Sequence, residues 1–287
     1  MAFTIDKNLS VHSVDLNVKS LETMTNYYKD KIGLSILEGS DNYASLGVKT
    51  DNRVLLNLIE VDAGGTRTKK AGLFHTAFIV PTRRDLGNSL FALLKKEIPI
   101  EGASDHGYSE ALYLHDPEGN GIEIYRDKPR EEWDISENGM IRGITAEIDA
   151  DGVIASRDDQ LVDTLPAGTR VGHVHLAVAD LEDSQYFYID TLGMQLKYEF
   201  GSQARFVAAG DYHHHIGLNT WLGTDIPKRE QFDLGLTRFT LGVSTNEEMN
   251  KVKEHLNARN FTLNDEGGTF ITVTDPNGIR VTVTTSE

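Results

Sequence analysis

The stretch SLETMTNYYKDKIGL at residues 20–34 returns as DLEDSQYFYIDTLGM at residues 180–194, a constant offset of 160. Ser20 and Asp180 are the residue types that cap a helix N-terminus. Gly33 and Gly193 suit the left-handed position that ends one. Between them the apolar residues recur at helical spacing. An alternating strand precedes each copy, Val14–Val18 and Val174–Val178. Short alternating runs follow: Tyr43–Val48 with Arg53–Glu60, and Arg205–Ala209 with His214–Trp221. These predict antiparallel strands.

Two looser copies fill the rest. One opens at Leu73–Val80, has a helix near Leu86–Lys96 and closes on strands near Glu110–Leu114 and Gly121–Arg126. The other opens at Leu236–Val243, has a helix near Glu247–Arg259 and closes on Thr269–Thr274 and Gly278–Thr284. Both carry Asp-Pro before the last strand, Asp116-Pro117 and Asp275-Pro276. Proline fixes a turn there and is excluded from a central ladder. The chain therefore reads as an α+β fold of four β-α-β-β-β modules, at 11–62, 73–127, 171–222 and 235–285. An N-terminal half (1–127) and a C-terminal half (171–287) flank an acidic connection, 128–170. That connection is long enough to fold locally or pack across a domain face. Of its two readings, a solvated linker is preferred over a lid.

Composition narrows the chemistry. The 287 residues hold 28 Lys and Arg against 44 Asp and Glu, a formal charge of −16. Such a field repels phosphate backbones and anionic lipid, which argues against nucleic-acid and membrane partners. There is no cysteine, so any metal must be held by Asp, Glu or the 10 histidines. The opening residues lack an apolar run of signal or spanning length, and a cytoplasmic protein is expected.

Register locates a candidate metal site. Counting five residues back from the end of each first strand gives Ser13, His75, His173 and Arg238 in modules one to four. Strand period two makes equal register mean equal face. The last strands of modules two and four share Asn-Gly-Ile, followed by Glu123 in one and Arg280 in the other. Each module is half of a curved sheet, so two must close into a cup. Pairing in sequence order puts no three ligands together. Pairing two with three and one with four collects His75, His173 and Glu123 in one concavity. Two imidazoles and a carboxylate on one face of an ion leave its opposite positions open, as in non-haem Fe(II) sites that use dioxygen. His12 lies one residue out of the module-one register. A sequential pairing could use it, but the slip turns it to the opposite face.

The tandem modules, with Asp-Pro-Glu-Gly-Asn-Gly-Ile-Glu at 116–123, resemble the vicinal oxygen chelate superfamily over nearly the whole chain. That resemblance implies two open-barrel, cup-shaped domains. The superfamily includes glyoxalases, epimerases, resistance transferases and ring-cleaving dioxygenases, so fold alone does not decide function. His106, five residues, Leu112-Tyr113, two residues, Asp116-Pro117, Glu118, Gly119, three residues, Glu123 is similar to the extradiol dioxygenase signature. In that family the signature normally lies in the last module; here it lies in the second. With Leu73-Phe74-His75, Gly172-His173-Val174-His175 and the run 210–215, the set resembles bacterial catechol-2,3-dioxygenases of the CatE type.

The resemblance implies an Fe(II) enzyme, Mn(II) suiting the same ligands, that takes a small aromatic diol and O2. It implies His214 as acid–base residue and Tyr113 and His106 as hydrogen-bonding partners of the substrate oxygens. His175, His213, His215 and Tyr125 are candidates for supporting positions. Alternation along 213–218 would put His213 and His215 on one face and His214 on the other; a surface patch is the bland reading of the three. Many relatives form homo-oligomers, and the oligomeric state stays open. The alternatives on this fold are a metal-dependent glyoxalase or thiol transferase and a non-enzymatic protein that sequesters a ligand.

Overall fold

A computed structural model describes residues 3–62, 69–261, 263–265 and 270–285. The first quarter contains β1 (Ser10–Val18), α1 (Leu21–Tyr27), a π-helical turn (Tyr28–Ile32), β2 (Ser35–Ser40), β3 (Tyr43–Val48) and β4 (Arg53–Glu60). The second contains β5 (Gly72–Ile79), α2 (Arg83–Lys95), β6 (Gly102–Asp105), β7 (Ser109–His115) and β8 (Gly121–Asp127). The connection holds β9 (Ala146–Glu147) and α3 (Ala150–Ala155). The third quarter has β10 (Arg170–Ala177), α4 (Leu181–Gln185), β11 (Gln195–Phe200), β12 (Ala204–Ala208) and β13 (Ile216–Asn219). The fourth has β14 (Gly235–Val243), α5 (Asn246–Ala258), β15 (Asn264–Asp265), β16 (Phe270–Thr274) and β17 (Arg280–Thr285). Thr269, expected to open the strand at β16, lies outside the described residues.

The repeat signals act as read. Ser20 Oγ accepts from Thr23 N at 3.3 Å and Asp180 Oδ1 from Asp183 N at 2.8 Å, capping α1 and α4. Gly33 and Gly193 take φ of 93° and 79° just after the π-helical turns that continue those helices, Tyr28–Ile32 and Tyr186–Thr191, a conformation that costs other residues steric strain. In the Asp-Pro turns, Asp116 Oδ1 accepts from Glu118 N and Asn120 N, and Asp275 Oδ1 from Asn277 N and Ile279 N.

The strands form two sheets, ordered β15-β16-β17-β14-β1-β4-β3-β2 and β11-β12-β13-β10-β5-β8-β7-β6-β9. The outer quarters share the first sheet and the inner quarters the second. The joins are antiparallel, β1 on β14 and β5 on β10, so the crossed pairing is made within one chain. Helix residues Met24, Leu86, Leu93, Val252 and Leu256 enter one apolar core with strand residues such as Leu16, Phe78, Leu176 and Phe239. Buried hydroxyls tie the sheets together: Tyr28 donates to Asp116 Oδ2 at 2.8 Å, and Tyr188 donates to Asp275 Oδ2 at 3.0 Å. Each bond joins the helical end of one quarter to the Asp-Pro turn of the next. Among the described residues no helix is long and apolar enough to cross a membrane.

The connection lies across both halves of the second sheet. β9 pairs with β6, Ile141 N donates to Lys197 O in β11 at 2.8 Å, and Asn88 of α2 exchanges hydrogen bonds with Asp158.

Candidate active site

The second sheet curves around a cavity of about 750 Å3. Because β5 pairs antiparallel with β10 and parallel with β8, three side chains meet in its floor. His75 Nε2 lies 2.9 Å from Glu123 Oε2, His173 Nε2 lies 3.1 Å from the same oxygen, and the two imidazole nitrogens are 3.2 Å apart. All three residues are buried. His12 lies in the other sheet and takes no part.

The donor set fits a divalent cation. Donors at right angles around an ion at ~2.1 Å lie ~3 Å from each other, which is the spacing of this triangle. If both imidazoles donate Nε2–H to Glu123, two N–H groups point at each other across 3.2 Å; a cation receiving both lone pairs removes that conflict. Burial alone would raise the Glu123 carboxyl, but His173 and His75 hold it well below the usual carboxylate range. Burial takes His173 down to about 4, against the pull of Glu123. Both shifts favour the deprotonated forms that bind metal.

A bulge at Gly172 brings this register about. A Cβ there would lie 1.8 Å from Tyr125 Oη; only glycine lets that ring pass behind His173. Gly217 acts similarly, since a Cβ would meet the His175 ring at 2.8 Å.

Two hydrogen-bonded groups flank the triangle. His106 Nδ1 lies 2.8 Å from Ile144 O, and Tyr113 Oη lies 2.7 Å from His106 Nε2. A carbonyl only accepts, so His106 carries its proton on Nδ1 and Tyr113 donates to Nε2. Burial, then the charge of Glu123, push the Tyr113 phenol well above its ordinary value, so it stays protonated. On the other side His214 packs against His173, ring centroids 4.1 Å apart. His214 Nδ1 lies 2.7 Å from His213 Nδ1, and His213 Nε2 lies 3.0 Å from Asp127 Oδ1. The Asp127 carboxylate oxygen accepts from His213 Nε2–H, so His213 Nδ1 accepts from His214 Nδ1–H. Nε2 is left as the basic atom of neutral His214. Burial above all lowers the pKa of that ring well below the ordinary value and keeps it uncharged.

His75, His173, Glu123, Tyr113, His106, His214 and His175 all line the cavity. His175 brings a buried Nε2 without a hydrogen-bond partner. Tyr125, His213 and His215 lie behind the wall. Tyr125 pairs with Tyr212 through their hydroxyls at 2.7 Å, and His215 Nδ1 accepts from Ala209 N at 3.2 Å. The three consecutive histidines precede β13, which begins only at Ile216, so no strand alternation governs them. All three are buried, which overturns the surface-patch reading. Sequence reasoning missed Asp127, Tyr108 (stacked on His213 at 4.3 Å) and the aromatic wall of Phe74, Tyr198, Phe206 and Trp221. The run 205–209 reads as a strand, but its spacing gives no reason to assign Phe206 to a pocket, and residues 195–200 carry no such reading.

Comparison with known proteins agrees with this architecture. The model of the Glyoxalase/Bleomycin resistance protein/Dioxygenase superfamily matches residues 10–124 and 170–283. A catechol-2,3-dioxygenase of Bacillus subtilis (strain 168) is 36% identical over 276 residues, covering 95% of this chain and 96% of the relative. A solved structure from Bacillus subtilis subsp. subtilis str. 168 superposes at a TM-score of 0.65 with 11% identity, covering 99% of this chain and 86% of that one. Glyoxalase I from Zea mays superposes at 0.58 with 15% identity, covering 97% and 92%. The paired inner quarters, the repeated module and these matches together make the chain a member of the Glyoxalase/Bleomycin resistance protein/Dioxygenase superfamily.

Proposed function

We propose that the protein is a metal-dependent extradiol dioxygenase that opens a catecholic ring beside its two hydroxyls, with Fe(II) as the metal. The observation that carries the reading is the meeting of His75 Nε2, His173 Nε2 and Glu123 Oε2 in a cavity that also holds the Tyr113–His106 pair and His214. The 36% identity to a catechol-2,3-dioxygenase over nearly the full chain supports it. His75, His173 and Glu123 would hold the iron, which supplies redox coupling between diol and dioxygen when bound.

The remaining work falls to the chain. His214 Nε2 accepts a proton as the diol binds, and Nδ1–H stays committed to His213. Tyr113 commits its proton to His106 Nε2, which fixes the phenol and leaves an Oη lone pair to accept from a substrate hydroxyl. The half-buried rings of Phe74, Tyr113 and Phe206 line the cavity beside the floor and limit the water around the reacting ring. A glyoxalase or thiol transferase would hold an anionic thiol cofactor, and the described cavity lining offers no Lys or Arg for one.

The test is anaerobic loading with Fe(II) or Mn(II), metal analysis, and addition of catechol in air. A yellow ring-fission product with one metal per chain is the expected result. Metal binding without any ring opening would reject the reading.

A further inference from the structure

We propose that the cavity selects catechols carrying an uncharged apolar substituent, an aryl group above all, and rejects catechols carrying a carboxylate. This rests on the ring-cleavage reading and names the substrate class of that same site.

Size is the first argument. A benzene ring fits a cavity of about 150 Å3, and this one is several times larger at about 750 Å3. Catechol itself would occupy only the metal end. The surplus space is mainly apolar, with Ser104, Ser109, Thr145, His115 and Glu101 as polar members of its lining. Its walls are Phe74, Trp221, Phe206, Tyr198, Phe200 and Ile144. Phe74 and Trp221 meet edge to face with centroids 5.0 Å apart, and Tyr198 stands 5.8 Å from Phe206. The buried ring of His175 closes the gap with centroids 5.2 Å from Trp221 and 5.5 Å from Phe206. Edge-to-face faces of this kind favour another aromatic ring. Trp221 and Phe200 stay 42% and 48% exposed. A ligand reaching the mouth would remove that apolar surface from water.

Charge is the second argument. No Lys or Arg stands among the described lining residues. The rim instead carries Glu101, whose Oε1 lies 2.7 Å from His115 Nδ1. A carboxylate on the substrate would enter an apolar chamber without a cation to meet it and would face Glu101, in a chain of formal charge −16.

The experiment compares 3-phenylcatechol, 4-phenylcatechol, catechol and 3,4-dihydroxyphenylacetate on the Fe(II)-loaded protein. Ligand quenching of Trp221 fluorescence on the metal-free protein is measured in parallel, with Trp221→Phe as control. The expected result is kcat/KM at least ~10-fold higher for a phenylcatechol than for catechol, and ~10-fold lower for the carboxylated diol. Trp221→Ala and Phe206→Ala should each shrink the phenylcatechol-to-catechol ratio, and Phe206→Arg should raise the relative rate of the carboxylated diol. Equal kcat/KM for all four diols, or an unchanged ratio in Trp221→Ala, overturns the proposal. If no diol is cleaved, the ring-cleavage reading fails. Quenching in the order phenyl, unsubstituted, carboxylated would then still support the apolar chamber, and equal quenching would overturn it.

Discussion

The carboxylate of Asp127 stands 3.0 Å from His213 Nε2, and that contact decides which nitrogen of His214 is left to take a proton. Asp127 ends β8, four residues beyond Glu123. One strand thus supplies both a candidate metal ligand and the anchor of the candidate base.

If the chain of contacts sets the tautomer, its members should differ in weight. His214→Gln should lower kcat for catechol by ~10²–10⁴-fold. Asp127→Ala should lower it by ~10–100-fold, with KM moving less than kcat, and Asp127→Glu should recover part of the loss. Steady-state kinetics on iron-loaded protein decide it; an Asp127→Ala enzyme with unaltered kcat would remove the carboxylate from the proton path.

Metal should stabilise the fold through the same triangle. A ligand present at a thousand times its dissociation constant adds about 4 kcal/mol. Chelation should therefore lower the melting temperature, and anaerobic Fe(II) should restore it. In Glu123→Ala, two imidazoles remain, and the Fe(II)-dependent shift should largely vanish. Calorimetry with and without metal reads this directly; a full shift in the variant would place the ion elsewhere.

The tyrosine ties between quarters invite a paired test. Tyr28→Phe and Tyr188→Phe each remove a buried donor from Asp116 or Asp275. Each should cost ~1–3 kcal/mol in urea unfolding. The double variant should show nearly the sum, as expected for separate sites.

Stability should also fall in acid. Burial, then repulsion from neighbouring cations, lowers His215 from 6.5 to about 3. The unfolded chain binds this proton first, so the contribution is whole above pH 6.5 and drains as pH falls toward 3. His215→Asn keeps an acceptor for Ala209 N but cannot titrate. Between pH 6 and 4 it should flatten the stability slope by about 1.4 kcal/mol per pH unit. An identical slope in the variant would show that His215 is not held neutral.

Much of this arrangement was legible in the residues. The repeat of 20–34 at 180–194 carried the modules, and equal strand register carried His75, His173 and Glu123 to one floor. Register works because side-chain period is rigid along a strand. It fails where the strand stops, as at His213–His215, whose burial follows from a turn. Asp127, Tyr108 and the aromatic wall escaped for a related reason. Phe74, Asp127 and Phe206 stand on β5, β8 and β12, where spacing gives a face but not what that face meets, and Tyr108 and Tyr198 depend on how the turn before β7 and strand β11 fold over the cup. Ile144, half of it exposed, reaches the cavity only because its connection pairs with β6 and bonds to β11.

The crossed sheets also set an order of birth. Strand β1 can pair with β4 as soon as the first quarter is made, but its other edge stays open until β14 leaves the ribosome, since Asp15 lies opposite Arg238. The inner quarters have each other much earlier. Chains truncated after residue 225 and released should therefore resist protease across 72–222 while the leading quarter is still cut, its open strand edge a template for wrong partners. Cells making this protein would need to shield its first-made segment the longest.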